Sequence, residues 1–162
     1  MDLNFGTEYK DFTNEVKDFC KKYSGIHFSD SSKVPLSGSY KSGEMQMKRS
    51  EWQKILIEKG YFARSIPKEY GGYGGESDII KSRIIAEEFA KAKIPPPMGG
   101  QGIDMLVPTL LELGTEEQKE KYVKPTLLGE IIWCQGYSEP NAGSDLSSLQ
   151  TKGDLIEGNW II

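Results

Sequence analysis

Gln135-Gly136-Tyr137-Ser138-Glu139-Pro140-Asn141-Ala142-Gly143-Ser144-Asp145 is the stretch on which the reading of this chain turns. It follows a short apolar run, Ile131-Ile132-Trp133-Cys134, whose length and turn-residue borders predict a strand. Small residues let a ligand approach the backbone closely, and the amides they free, with the Ser144 hydroxyl, suit a phosphate oxygen. Ser138, at the strand end, can donate one directed hydrogen bond to a heteroaromatic edge. The same residues also suit a plain β-turn in which Asp145 hydrogen-bonds its own loop. Glu139 and Asp145 read as structural, tying the loop to its own amides. Loop chemistry alone leaves both readings open.

Downstream, Ser147 to Lys152 suits a second strand, and Gly153-Asp154 and Glu157-Gly158-Asn159 each turn the chain. Trp160-Ile161-Ile162 then starts a strand with no sequence left to pair with, an exposed apolar edge that natural chains avoid. The expectation is a fragment of a longer protein.

Upstream of Gly129 the texture is helical. Tyr9, Phe12, Val16, Phe19, Cys20 and Tyr23 recur at steps of three and four, one apolar stripe, with Thr7 as N-cap and Gly25 as stop. A solvated loop is expected from Ser29 to Ser42. A second helix is expected from about Glu44 to Lys59, burying Trp52, Ile55 and Leu56 and ended by a left-handed Gly60. The glycines of Ile66 to Gly75 exclude regular structure, and without a Gly-Lys-Ser/Thr ending this reads as a tight connector, not a P-loop. Ser77 should cap a third helix carrying Ile80, Ile84, Ile85, Phe89 and Ala92, stopped by Pro95-Pro96-Pro97. Ile103 to Leu113 reads as a helix with Pro108 in its first turn or at a kink. Thr115-Glu116-Glu117-Gln118 has capping-box spacing and starts a helix through Val123, ending at Pro125. Separated by little more than Gly114, these two helices should pack as a pair.

The chain has 162 residues and a formal net charge of −4, ordinary for one globular domain and wrong for non-specific nucleic-acid binding. No run approaches the roughly 20 apolar residues of a membrane span. No signal peptide is evident, which favours the cytoplasm. Cys20 and Cys134 lie far apart without metal-ligand partners and read as buried thiols, and His27 sits in a polar stretch, so no metal site is expected.

Gly136 to Ser148 resembles the first signature of the acyl-CoA dehydrogenase family: Ser/Thr-Glu, two variable residues, a small residue, Gly-Ser/Thr-Asp and a small residue three further on. Pro67-Lys68-Glu69-Tyr70-Gly71-Gly72 and Gly114-Thr115-Glu116-Glu117-Gln118-Lys119 resemble the family at comparable distances upstream. The implied fold class is mainly α with a short β portion. Residues 1–129 would be the N-terminal α-helical domain, and 130–162 the truncated start of a β-barrel-like middle domain.

The resemblance further implies FAD as cofactor and α,β-dehydrogenation of an acyl-CoA thioester to the 2-enoyl-CoA, as in fatty acid or lipid β-oxidation. Gln135, Tyr137 and Ser138 fall where the family meets the isoalloxazine ring. Gly143 and Ser144 fall where it approaches the pyrophosphate. Ser144 also matches a contact to the CoA thioester arm, and Gln101, before the helix lining the acyl pocket, is a substrate-side candidate. No catalytic base is assigned, because the family's carboxylate lies in a C-terminal helical domain, and the fragment alone is expected to be inactive. The family's Trp-x-Thr/Ser flavin element lies beyond Trp160. Implied partners are acyl-CoA, electron-transfer flavoprotein as acceptor, and further subunits in a dimer or a homotetramer. The alternatives are a non-catalytic partner subunit of a heteromeric acyl-CoA dehydrogenase and a related flavin oxidase or monooxygenase.

Overall fold

The computed structural model describes residues 6–28 and 45–162, so the loop expected at 29–42 and Glu44 lie outside the described residues. Helix α1, Thr7–Lys22, turns its stripe inward: Val16, Phe19, Cys20 and Tyr23 are buried and Phe12 packs beside them. Gly6, not Thr7, holds the N-cap position, and no side chain caps it. Ile26–Phe28 (β1) then pairs in parallel with Met45–Met47 (β2), Ile26 opposite Met45. This pairing delays the second helix, expected from about Glu44. Helix α2 is Arg49–Glu58, its entry fixed by the Lys48 amide donating to the Glu51 carboxylate at 3.1 Å. Gly60 closes it at φ +71°.

The 66–75 connector uses its own amides. Those of Gly72, Tyr73, Gly74 and Gly75 donate to the carbonyls of Pro67, Ala63, Ile66 and Arg64, around a 3-10 turn at Lys68–Tyr70. This internal pairing is that of a tight connector. Gly72 cannot be replaced cheaply, because a Cβ there would stand 2.2 Å from the Ile66 carbonyl oxygen. Helix α3, Ile79–Ala92, is capped by Asp78 and not Ser77: the Asp78 carboxylate accepts from the amides of Ile80 and Lys81.

Gly102–Leu106 forms a π turn running into α4, Val107–Leu113. Pro108 has no N–H to return to the preceding turn, which widens so that the Val107 amide bonds the Gly102 carbonyl. The Thr115–Gln118 capping box forms as expected. Helix α5, Glu116–Leu127, however, runs through Pro125 instead of ending there. Pro125 has no N–H to give the Lys121 carbonyl, and just beyond it the Thr126 hydroxyl donates to the Tyr122 carbonyl at 2.7 Å and the turn closes at Gly129, φ +72°.

Two apolar clusters result. In the first, the Phe19 ring lies 4.6 to 5.9 Å from those of Tyr23, Trp52, Tyr61 and Phe89, within the range of favourable aromatic pairs. The second gathers Ile57, Val107, Val123 and Leu127 where α4 and α5 pack. Helix α2 serves both, and fully buried Gln53 lies on it. Gln53 donates to the Leu127 carbonyl at 3.0 Å and accepts from the Met98 amide at 2.9 Å. Neighbouring Trp52 donates to the Pro95 carbonyl at 3.1 Å.

Beyond Gly129 the expected strands are redrawn. Ile131–Cys134 has no regular secondary structure and pairs with no strand among the described residues, and Leu146–Ser148 is a 3-10 turn where a strand was expected. Trp160 does find a partner: Asp154–Ile156 (β3) and Asn159–Ile161 (β4) form an antiparallel hairpin with Leu155 opposite Trp160. Glu157 and Gly158, at φ 49° and 80°, make the two-residue turn that folds it back. Cys20 is buried as expected, whereas Cys134 is exposed, and both are free thiols.

Gln53→Leu should lower the unfolding free energy by about 2–4 kcal/mol, because it strands a buried amide and a buried carbonyl together. Urea unfolding followed by helical circular dichroism measures it, and a loss below about 1 kcal/mol would mean that both groups find new partners.

Candidate functional site

The site is a stretch of backbone held at several points. The first is Trp133, whose indole N–H donates to Thr126 Oγ1 on α5 at 2.8 Å. Its ring meets Tyr122 edge to face at 5.5 Å. A Cβ on Gly102 would stand 2.5 Å from the same ring, so the π turn is glycine where Trp133 seats. Two residues on, the Gln135 side-chain carbonyl accepts from the Gln101 amide at 3.0 Å. Gln101 and Gln135, separate candidates in the sequence, are therefore brought together.

Tyr137 and Ser138 continue the irregular run, both exposed. Glu139 and Ala142 then exchange both backbone hydrogen bonds, at 3.0 and 3.1 Å, around Pro140-Asn141. The Glu139 carboxylate crosses to the strand-like segment beyond: it accepts from the Gln150 amide at 3.0 Å, the Thr151 amide at 2.6 Å and the Thr151 hydroxyl. Asp145 accepts from the Ser147 hydroxyl, and its carbonyl from the Ser148 hydroxyl at 2.9 Å. Both carboxylates make structural ties, but not to the loop's own amides as expected: Glu139 reaches Gln150 and Thr151 beyond the loop, and Asp145 takes a hydroxyl.

Within that frame part of the backbone is open. Among the described residues, the amides of Gln135 to Ser138 and of Gly143 and Ser144 have no hydrogen-bond acceptor. A Cβ on Gly136 or Gly143 would meet nothing within 4 Å. Free donors beside unobstructed glycines fit a ligand with a heteroaromatic edge and a phosphate, which is what FAD presents. Two elements escaped the sequence reading. Trp133 was visible as the aromatic member of an aliphatic run, but its seat on Gly102 and Thr126 was not. The partners of Glu139 lie too far along the chain for any local motif to show.

The Thr151 hydroxyl, with the Gln150 and Thr151 amides behind it, holds the Glu139 carboxyl below the usual carboxylate range. With the folded value depressed, the tie is present above the ordinary glutamate value and is lost as pH falls through the lower, folded one. The amide resonances of Gln150 and Thr151 should therefore move together in an acid titration, with one midpoint below that of an exposed glutamate. Glu139→Gln should abolish the step, and a midpoint at the ordinary value would refute the tie.

Residues 7–130 match the family model described as acyl-CoA dehydrogenase, N-terminal domain. The chain is 36% identical over 121 residues to acyl-CoA dehydrogenase IpdE1 of Mycolicibacterium smegmatis, covering 75% of this chain and 30% of the relative. Among solved structures it is similar to the ChsE4-ChsE5 complex from Mycobacterium tuberculosis, with a TM-score of 0.55 at 26% identity over 94% of this chain and 36% of that one. A steroid ACAD described as Tcur3481-Tcur3483 gives the same TM-score of 0.55 at 28% identity, covering 94% of this chain and 37% of that one. The chain spans about a third or less of the length of the curated relatives it matches. A helical domain of this architecture, matched over residues 7–130 and followed by the Ser138–Asp145 turn, belongs to the acyl-CoA dehydrogenase family and corresponds to its N-terminal part.

Proposed function

We propose that residues 1–129 form the helical domain, and 130–162 the beginning of the middle β-domain, of an FAD-dependent dehydrogenase that converts acyl-CoA thioesters to 2-enoyl-CoA. The observation that carries this reading is the open, donor-rich backbone from Gln135 to Ser144 in a chain of this family. FAD, when bound, supplies the acceptor for the two electrons and the β-hydrogen. The residues of this chain bind and orient. The amides of Gln135 to Ser138 and the Ser138 hydroxyl offer donors to a ring edge, where fixed dipoles stabilise arriving negative charge without reorganising. Gly143 leaves room for close approach, and Ser144 offers an amide and a hydroxyl to a phosphate or a thioester arm. Gln101, the substrate-side candidate, holds the Gln135 side chain.

No carboxylate of this loop is available to take the α-proton. Glu139 is bound by three donors and Asp145 by a hydroxyl, so the base belongs elsewhere, and the 162 residues alone should not turn over substrate. Following the family, electron-transfer flavoprotein is the proposed acceptor, a dimer or tetramer the proposed assembly and the cytoplasm the proposed location. A second reading, a subunit of a two-component enzyme, is favoured by the resemblance to ChsE4-ChsE5 and Tcur3481-Tcur3483, each of which joins two named components.

The complete gene product should purify yellow and take up FAD in a fluorescence titration. Because Gly143 faces open space, Gly143→Val should keep the helical spectrum and melting temperature of the wild type. Its FAD affinity should fall about tenfold or more, the scale of a lost hydrogen bond to a charged group. A colourless wild-type product with a flat titration would sink the flavin reading.

A further inference from the structure

We propose that Trp133 is a positioning residue that aims the backbone of Gln135 to Ser138 at the cofactor, an inference that rests on the flavin-site reading above. Trp133 belongs to neither apolar cluster. It is half-buried, and what distinguishes it is a directed bond. Thr126, 2% exposed, commits its hydroxyl proton to the Tyr122 carbonyl, which orients a lone pair outward for the Trp133 indole N–H. The acceptor is thus fixed by α5 itself. The ring then lies over Gly102, where any side chain would displace it.

Gly102 adjoins Gln101, and Gln101 holds Gln135, two residues beyond Trp133. Attachment at both residues fixes a point and a direction. Among the described residues, after the Glu130 and Ile131 amides, which return to the Pro125 carbonyl, no backbone hydrogen bond holds the chain until Glu139. The 98–103 and 131–133 segments part around a cavity of about 90 Å³, and the Trp133 ring is the bridge across it. Without that bridge the amides of Gln135 to Ser138 would be held, among the described residues, only through Ile131, Glu139 and the single Gln101–Gln135 side-chain bond.

The test uses the complete gene product as wild type, Trp133→Phe, Thr126→Val, Thr126→Ser and the Trp133→Phe/Thr126→Val double variant. FAD affinity is read by fluorescence titration, and amide exchange by mass spectrometry on the FAD-free protein. Trp133→Phe and Thr126→Val should each weaken FAD several-fold to about tenfold, the range of one hydrogen bond. The double variant should be no worse than either, because both remove the same bond. Thr126→Ser keeps the hydroxyl and should keep the affinity. Exchange should rise at residues 134–138 while α1 and α3 stay protected. If wild type binds FAD and the singles match it, or their losses add, Trp133 is packing only and the positioning role is overturned. If wild type binds no FAD, the flavin reading falls and takes this inference with it.

Discussion

One turn of α2 has to serve two cores. Trp52 and Leu56 face the aromatic cluster, Ile57 faces the aliphatic one, and Gln53 is sealed between them. A primary amide in that position is tolerable only if its donor and acceptor both find partners. They find them in different elements: the end of α5 through Leu127 and the segment after α3 through Met98. The separation of those two elements is therefore set by the length of one glutamine side chain. An apolar residue there would fill space without specifying that distance.

The consequence reaches the site by a short route. Pro95, Pro96 and Pro97 have no backbone N–H, so this segment cannot anchor itself by donating. It is held instead by what others give it and by the first amide after it: Trp52 donates to Pro95, and Met98 donates to Gln53. From Met98 the chain enters the π turn, where Gly102 meets Trp133, while the same α5 end that Gln53 grips presents Thr126. Gln101, Trp133 and Gln135 thus inherit their places from a polar group buried on another helix. Packing becomes geometry at that point.

What the sequence disclosed follows the same physics. Helices announce themselves locally, through stripes such as Val16, Phe19 and Tyr23 and through caps such as Thr115 with Gln118, because their bonds run between near neighbours. Strands do not. Ile131–Cys134 has strand composition but no partner among the described residues, whereas Met45–Met47, inside an expected helix, is drawn into a pair by Ile26–Phe28. Trp160 was read as unpaired although the turn at Glu157-Gly158-Asn159 was legible, because Asp154–Ile156 is too short a run to announce itself as the partner strand. Pro125 misled in the opposite sense, since a proline in a helix costs one bond and Thr126 with Gly129 makes the end hold. At the candidate site, the Ser138–Asp145 pattern singled out the candidate residues. The ties that hold them, from Glu139 to Thr151 and from Trp133 to Thr126, join residues whose nearness only the folded chain reveals.

The ordering of the loop has a further physical meaning. Its side chains are largely exposed, Tyr137 at 71% and Leu146 at 64%, so burial does not hold it. It is ordered by directed bonds at its edges, while the middle keeps its amides unpaired. A loop ordered by burial would have to give up packing to admit a ligand, and one left unordered would lose affinity to the entropy of fixing it. Edge ties avoid both penalties. Under the flavin reading proposed above, they would place donors in advance where charge or a ring edge arrives, the arrangement that electrostatic preorganisation requires. The glycines at 136 and 143 complete it by keeping the approach clear.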